Sequence, residues 1–127
     1  MTKPRAPLIL IVDDVEDTRE MYGLYLSNAG FRVATAVDGL DAIDKAFRLH
    51  PRVVVLDLAM PGLNGFEVAT KLRSEPRMKG VSIIAVTAHG LHIVDQVAKT
   101  TWFDRFLTKP CLPAHLAAEI RKELRRR

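Results

Sequence analysis

Residues 52 to 65 read Arg-Val-Val-Val-Leu-Asp-Leu-Ala-Met-Pro-Gly-Leu-Asn-Gly, and the change of character at Asp57 decides the fold. Val53 to Leu56 form a continuous β-favouring run, as expected of a strand buried on both faces of a parallel sheet. Asp57 stands where that strand should end. Pro61, Gly62, Asn64 and Gly65 then crowd the next positions, so the chain leaves the strand through a tight, irregular loop before any helix can begin. In open α/β sheets, ligands bind at the edge where strands end, because loops of fixed position and helix N-termini converge there on a rigid scaffold. Asp57 is therefore the first candidate for chemistry.

Working outward, Leu8 to Val12 is a second apolar run, bounded by Pro7 and by Asp13 and Asp14. Val15, Tyr22, Leu26 and Ala29 recur at helical spacing, with Gly30 as the stop. Phe31 to Ala36 reads as a strand. Asp38 caps a helix whose expected buried stripe is Leu40, Ile43 and Phe47, and Pro51 forbids its continuation. Beyond the central loop, Phe66, Ala69 and Leu72 mark a third helix and Val81 to Val86 a fourth strand. Leu91, Val94 and Ala98 mark a fourth helix, Arg105 to Leu107 a fifth strand, and Pro113, Leu116, Ile120 and Leu124 a closing amphipathic helix. Strands alternating with helices through short right-handed crossovers make a doubly wound α/β fold. The expected architecture is flavodoxin-like: five parallel strands in the order 2-1-3-4-5 and five helices.

At 127 residues and 48% hydrophobic content, the chain reads as one domain over 1–127, with an extension at 1–6 and a basic tail at 125–127. The uncharged stretch Val81 to Val94 is short and carries Ser82, Thr87, His89 and His92, which excludes a membrane span. Met1 to Pro7 has no apolar leader, so a cytoplasmic location is expected; a lone cysteine, Cys111, forms no internal disulfide there. The formal charge is +4 with a pI near 9.5, but Lys3, Arg5 and the segment 114–127 account for the excess, leaving Ala6 to Pro113 at −1. Basicity at the ends reads as a solvated helix terminus rather than a phosphate-binding patch.

The topology would bring Asp13, Asp14, Asp57, Thr87 and Lys109 to one rim. Three carboxylates a few ångströms apart repel one another strongly in a partly buried site and require a cation; oxygen ligands without cysteine point to Mg2+. Helix capping is the structural alternative for one of Asp13 and Asp14. Lys109, between a strand and Pro110, would supply a positive charge, and Thr87 is either a hydroxyl donor or an ordinary strand-end threonine.

Four motifs fall at the expected strand ends: I-V-D-D at Ile11 to Asp14, V-L-D-L-A-M-P-G-L-N-G at Val55 to Gly65, V-T-A at Val86 to Ala88, and F-L-T-K-P at Phe106 to Pro110. With them the chain resembles the response-regulator receiver domains of two-component signalling, in particular the single-domain chemotaxis type, over essentially its whole length. The resemblance implies that Asp57 is the phosphoacceptor, that Asp14 binds Mg2+ directly and Asp13 largely through water, and that Ala59 binds it through its backbone carbonyl. It implies a cis Lys109-Pro110 bond, a hydroxyl of Thr87 that moves toward the phosphoryl group, and an inward turn of Phe106, which on residue type alone is equally a core aromatic. Ala59 and His89 would flank the route of an attacking water. The chain would be a signalling switch rather than an enzyme, catalysing only its own phosphorylation and dephosphorylation. The implied partners are a histidine kinase or histidine phosphotransfer protein and, through the fourth helix, fifth strand and last helix, an output protein or a second copy. Neither specific nucleic-acid binding nor membrane insertion is expected.

Trp102 departs from the family, which commonly has glycine there, so a reshaped approach to the fifth strand is expected. Two alternatives are a receiver cut from a larger hybrid kinase or response regulator, and a flavodoxin-like cofactor-binding protein. The second lacks a glycine-rich phosphate loop after the first strand, where Asp13 and Asp14 would repel phosphate.

Overall fold

Apolar runs alternating with amphipathic segments build a central parallel sheet between two helical layers. The computed structural model describes residues 5–88 and 102–126. Strands β1 (Leu8–Val12), β2 (Arg32–Ala36), β3 (Val53–Asp57), β4 (Ser82–Thr87) and β5 (Arg105–Thr108) pair in parallel in the order β2-β1-β3-β4-β5. Helices α1 (Glu16–Asn28), α2 (Gly39–Leu49), α3 (Gly65–Ser74) and α4 (Pro113–Arg125) pack on the sheet, and a 3-10 turn spans Pro76–Met78. The helix expected around Leu91, Val94 and Ala98 lies outside the described residues, as does His89.

The two faces of each strand divide the core by the period of two. Leu10, Val12, Val54 and Leu56 meet Ala42 and Ala46 of α2 and Val68, Ala69 and Leu72 of α3. Ile9, Ile11, Val53 and Val55 meet Tyr22 and Leu26 of α1 and Leu116, Ala117 and Ile120 of α4. All four residues Val53 to Leu56 are buried, which is why their sequence shows no polar alternation. Each such side chain contributes about 1.5–3 kcal/mol on burial, set against the entropy of ordering it.

Two apolar stripes differ from expectation. Val15 is not core: it is half exposed and occupies the N-cap of α1, and the buried residues of that helix are Tyr22 and Leu26. On α2 the buried line is Gly39, Ala42 and Ala46, while Leu40 is 73% exposed and Ile43 and Phe47 are partly covered. Small residues let α2 approach the sheet closely, which rotates the stripe by one residue, about 100° around the helix. Asp38 does cap α2, accepting from the Asp41 amide at 2.8 Å.

Polar groups join the closing helix to the sheet. Tyr22 Oη donates to the Cys111 carbonyl at 2.7 Å, and its phenol is pushed up to about 12, chiefly by burial. Tyr22→Phe should cost about 1 kcal/mol, read as a lower urea midpoint at unchanged m-value, because the buried carbonyl loses its donor. The guanidinium of Arg105 in β5 binds both Glu119, at 2.9 Å, and the buried Glu123 of α4. Arg126 also pairs with Glu123, so this part of the basic terminus is tied down.

Trp102 does not take the left-handed backbone that glycine would allow; His50 is the non-glycine residue with positive φ among those described. Arg73 of α3 holds the Trp102 carbonyl at 3.0 Å and the Val81 carbonyl at 2.7 Å, and pairs with Asp104 at 2.8 Å. Asp104 in turn accepts from the Ile83 amide at 2.8 Å. One arginine thus anchors the approach to β5, and the Trp102 ring packs against the α2–α3 side of the core.

Candidate functional site

Because all strands are parallel, β1, β3, β4 and β5 deliver their last residues to one edge. Asp13 follows β1 and continues its ladder, its amide donating to the Ala36 carbonyl at 3.2 Å. Its Oδ1 accepts from the Val15 amide at 2.9 Å, and its carbonyl accepts from Arg19 of α1 at 2.8 Å. Neither Asp13 nor Asp14 is the cap of α1: that place belongs to Val15, which makes no side-chain cap. The capping expectation for one of the two acids is thereby corrected, since the turn closes one residue later. Asp13 is buried and Asp14 exposed, so the pair presents one fixed and one solvated carboxylate.

Asp57 ends β3, in register with Val86, and is 5% exposed. Its Oδ1 accepts from the Ala59 amide at 3.0 Å, which fixes the orientation of the carboxylate. Lys109 reaches over from the end of β5, its Nζ 3.5 Å from Asp57 Oδ2 and 3.2 Å from Asp13 Oδ2. The lysine is anchored by its own amide, which donates to the Thr87 carbonyl at 2.8 Å, and the following bond to Pro110 is cis. Thr87 is buried at the end of β4 and opposite Thr108. Phe106 is partly buried against Leu58 and Ala85, beside Phe103 and Phe66.

Electrostatics follow from this geometry. Burial raises the Asp57 pKa above the ordinary carboxylate value; the Ala59 amide and Lys109 oppose the rise, while Asp13 and Asp14 add to it. For Lys109, burial works against the ammonium, but Asp57 and Asp13 outweigh it and hold its pKa above the usual lysine value. Each of Asp13, Asp14 and Asp57 offers a carboxylate oxygen within 4.8 Å of the others. Three hard oxygen donors and a single nearby ammonium leave excess negative charge, a donor set that fits Mg2+.

The edge therefore gathers Asp13, Asp14, Asp57, Thr87, Lys109 and Ala59, drawn from four strand ends. Sequence reading missed the Ala59 amide as a donor to Asp57 and Arg19 as the holder of Asp13; the first is a backbone role open to almost any residue and leaves no mark in composition.

Fold and site together define a flavodoxin-like α/β protein with a carboxylate–lysine centre on its ligand edge. The chain belongs to the response regulator receiver domain family, whose model matches residues 9–121. It is 36% identical over 118 residues to the DNA-binding response regulator MtrA of Mycobacterium tuberculosis, covering 93% of this chain and 50% of that protein. It thus spans about half the length of that relative. Among solved structures it resembles the chemotaxis response regulator CheY4 of Vibrio cholerae, with a TM-score of 0.86 at 30% identity, covering 93% of this chain and 98% of that one. It also resembles the Thermotoga maritima response regulator TrrA, solved in complex with Mg2+-BeF, with a TM-score of 0.81 at 31% identity, covering 92% and 98%. The chain is accordingly a receiver-type signalling module. No helix among the described residues is long and apolar enough to cross a membrane.

Proposed function

We propose that this single receiver domain, 1–127, accepts a phosphoryl group on Asp57 from a histidine kinase or histidine phosphotransfer protein in the cytoplasm. The observation that carries this reading is the buried Asp57 carboxylate, oriented by the Ala59 amide and faced by Lys109. A carboxylate oxygen of Asp57 attacks phosphorus, the bond from phosphorus to the donor nitrogen breaks, and the leaving imidazole takes a proton. Phosphoryl transfer asks the protein mainly for alignment and charge neutralisation. Lys109, already within reach of Asp57, neutralises part of the charge on the transferred oxygens. Asp13 holds the lysine in place, and the Arg19 and Val15 contacts hold Asp13. Asp13, Asp14, Asp57 and the Ala59 carbonyl would hold Mg2+, which supplies the remaining positive charge and oxygen coordination. The Mg2+-BeF complex of TrrA supports that choice of ion.

Once Asp57 is phosphorylated, the Thr87 hydroxyl moves to donate to a phosphoryl oxygen, and Phe106, already beside Leu58 and Ala85, turns further inward into the space it leaves. A phosphoryl group adds about −1.5 to −2 charge and so favours one of two nearby packings. The altered face comprises β5, α4 and the segment expected to be helical at 91–98, and it binds an output protein or a second copy. Ala59 and His89 set the access of water for dephosphorylation. A second reading is favoured by the length comparison: the same receiver joined to an output domain, as half-length coverage of MtrA allows.

Incubation with acetyl phosphate and Mg2+, followed by intact mass, should add one acid-labile phosphoryl group. Fluorescence of Trp102, the single tryptophan, should change in step because Phe103, which packs on the same core cluster as Trp102, also packs on the cluster that holds Phe106. No mass gain, or labelling that is independent of Mg2+, overturns the reading.

A further inference from the structure

Charge is segregated between the two edges of the sheet, although the sequence from Ala6 to Pro113 sums to −1. The strand-end edge carries Asp13, Asp14 and Asp57, with Glu16 and Asp17 in the first turn of α1 and Asp38 before α2. The opposite edge, where strands begin and helices finish, gathers cations from distant parts of the chain. Arg32 opens β2 in register with Leu8, and Arg52 lies on the other side of the same residue, its amide donating to the Leu8 carbonyl at 2.9 Å. With strands about 4.8 Å apart, these two arginines stand about 10 Å apart along the edge. Arg5 precedes β1, and Lys79 precedes β4. Arg121 is placed by its guanidinium, 5.6 Å from the centroid of Phe31, the neighbour of Arg32. Arg125 ends α4.

All six are exposed, and among the described residues none enters an ion pair. The acids at this edge are already engaged: Asp44 with Arg48, Glu75 with Arg77, and Glu123 with Arg105 and Arg126. Positive charge thus accumulates on one side with no ion-pair partner among the described residues.

We infer that this edge binds the phosphate backbone of duplex nucleic acid without reading its sequence. Five of the six cations are arginine, whose planar guanidinium suits phosphate oxygens. The edge offers no helix that enters a groove, and its exposed aromatic, Tyr25 in the last turn of α1, is a single ring beside six cations, so its contacts go mainly to phosphates, which position but do not specify. A lipid surface would call for apolar side chains to insert beside the cations. Of the large exposed hydrophobics among the described residues, Leu49 at the end of α2 and Tyr25 in the last turn of α1 stand at this edge, too few to anchor it in lipid. Bound this way, the molecule turns its acidic edge, with Asp57, away from the polyanion and leaves it open. The inference does not depend on phosphorylation of Asp57.

Fluorescence anisotropy with short labelled duplexes of two unrelated sequences tests it. With four phosphates neutralised, affinity should fall about 150-fold between 50 and 200 mM salt. The double variant Arg52→Ala/Lys79→Ala should lower the slope of log affinity against log salt by about 2 and bind about tenfold or more weakly at 50 mM salt. Its far-UV circular dichroism should match the parent, since both side chains are exposed. A flat salt dependence, an unchanged slope in the variant, a tenfold preference between the two duplexes, or binding to phosphatidylglycerol vesicles without binding to either duplex overturns the inference.

Discussion

Asp57→Asn is expected to take no phosphoryl group from acetyl phosphate and Mg2+ while folding more stably than the parent. The first half follows from chemistry: an amide in place of the carboxylate has no nucleophilic oxygen to form an acyl phosphate, and no neighbouring carboxylate has the same support. Asp14 is exposed, and Asp13 is already engaged by the Val15 amide and Lys109. The second half follows from electrostatics. Burial and the nearby carboxylates raise the folded-state pKa of Asp57, so its ionised form is disfavoured by folding. For a carboxyl raised in this way, the penalty is fully present above the folded pKa and disappears as pH falls through that value toward the unfolded one. The asparagine variant should therefore be more stable by about 1 kcal/mol at neutral pH in a chelator, a typical gain where a functional site carries strain. That advantage should shrink as the pH is lowered. Urea unfolding with and without Mg2+ measures both parts, because Mg2+ should stabilise the parent by mass action and the variant less. Labelling that persists in the variant moves the acceptor elsewhere. A variant less stable than the parent would mean that Lys109 and the Ala59 amide outweigh burial.

The strand ends were legible because a strand buried on both faces must be apolar throughout, so Asp13 and Asp57 stood out as the charges that close such runs, whereas Lys109, after the edge strand β5, stood out by its place before Pro110. Topology then did the rest: parallel strands send those residues to one edge, and Asp13 and Lys109 meet there across the sheet. What stayed hidden was relational. The buried stripe of α2 was misread by one residue because alanine and leucine are both apolar, and only the close approach of α2 to the sheet selects Ala42 and Ala46. Nothing in the sequence sets Arg73 apart, yet it ties α3 to Trp102, Val81 and Asp104. The basic edge escaped for the same reason, since its charges come from Arg5, Arg32, Arg52, Lys79 and α4. Within Ala6 to Pro113, Arg32, Arg52 and Lys79 are cancelled in the sum by acids that the fold sends elsewhere, and only the fold joins them to Arg5 and α4.

Gly65→Ala is expected to destabilise the fold by about 2 kcal/mol and to slow phosphorylation, against the usual benefit of alanine in a helix. Gly65 opens α3 directly behind the acceptor aspartate, and its amide donates to the Leu58 carbonyl at 3.3 Å. A Cβ there would stand 2.7 Å from the Asp57 carbonyl oxygen and 2.7 Å from Leu58 Cα. Both are backbone atoms, which cannot rotate aside as a side chain would. The start of α3 cannot simply retreat, because Asn64 and Glu67 lock it through reciprocal bonds of 3.0 and 3.1 Å. The remaining outlet is the end of β3, so the strain falls on Asp57 and on the Ala59 amide that orients it. A misplacement approaching 1 Å costs up to about 10²-fold in such a reaction. Asn64→Ala provides the contrast: losing the cap should cost about 1 kcal/mol while leaving the Asp57 backbone in place. Unfolding midpoints and initial phosphorylation rates of the two variants separate the effects. Should Gly65→Ala match the parent in both, the junction of β3 and α3 yields freely, and the placement of Asp57 does not depend on it.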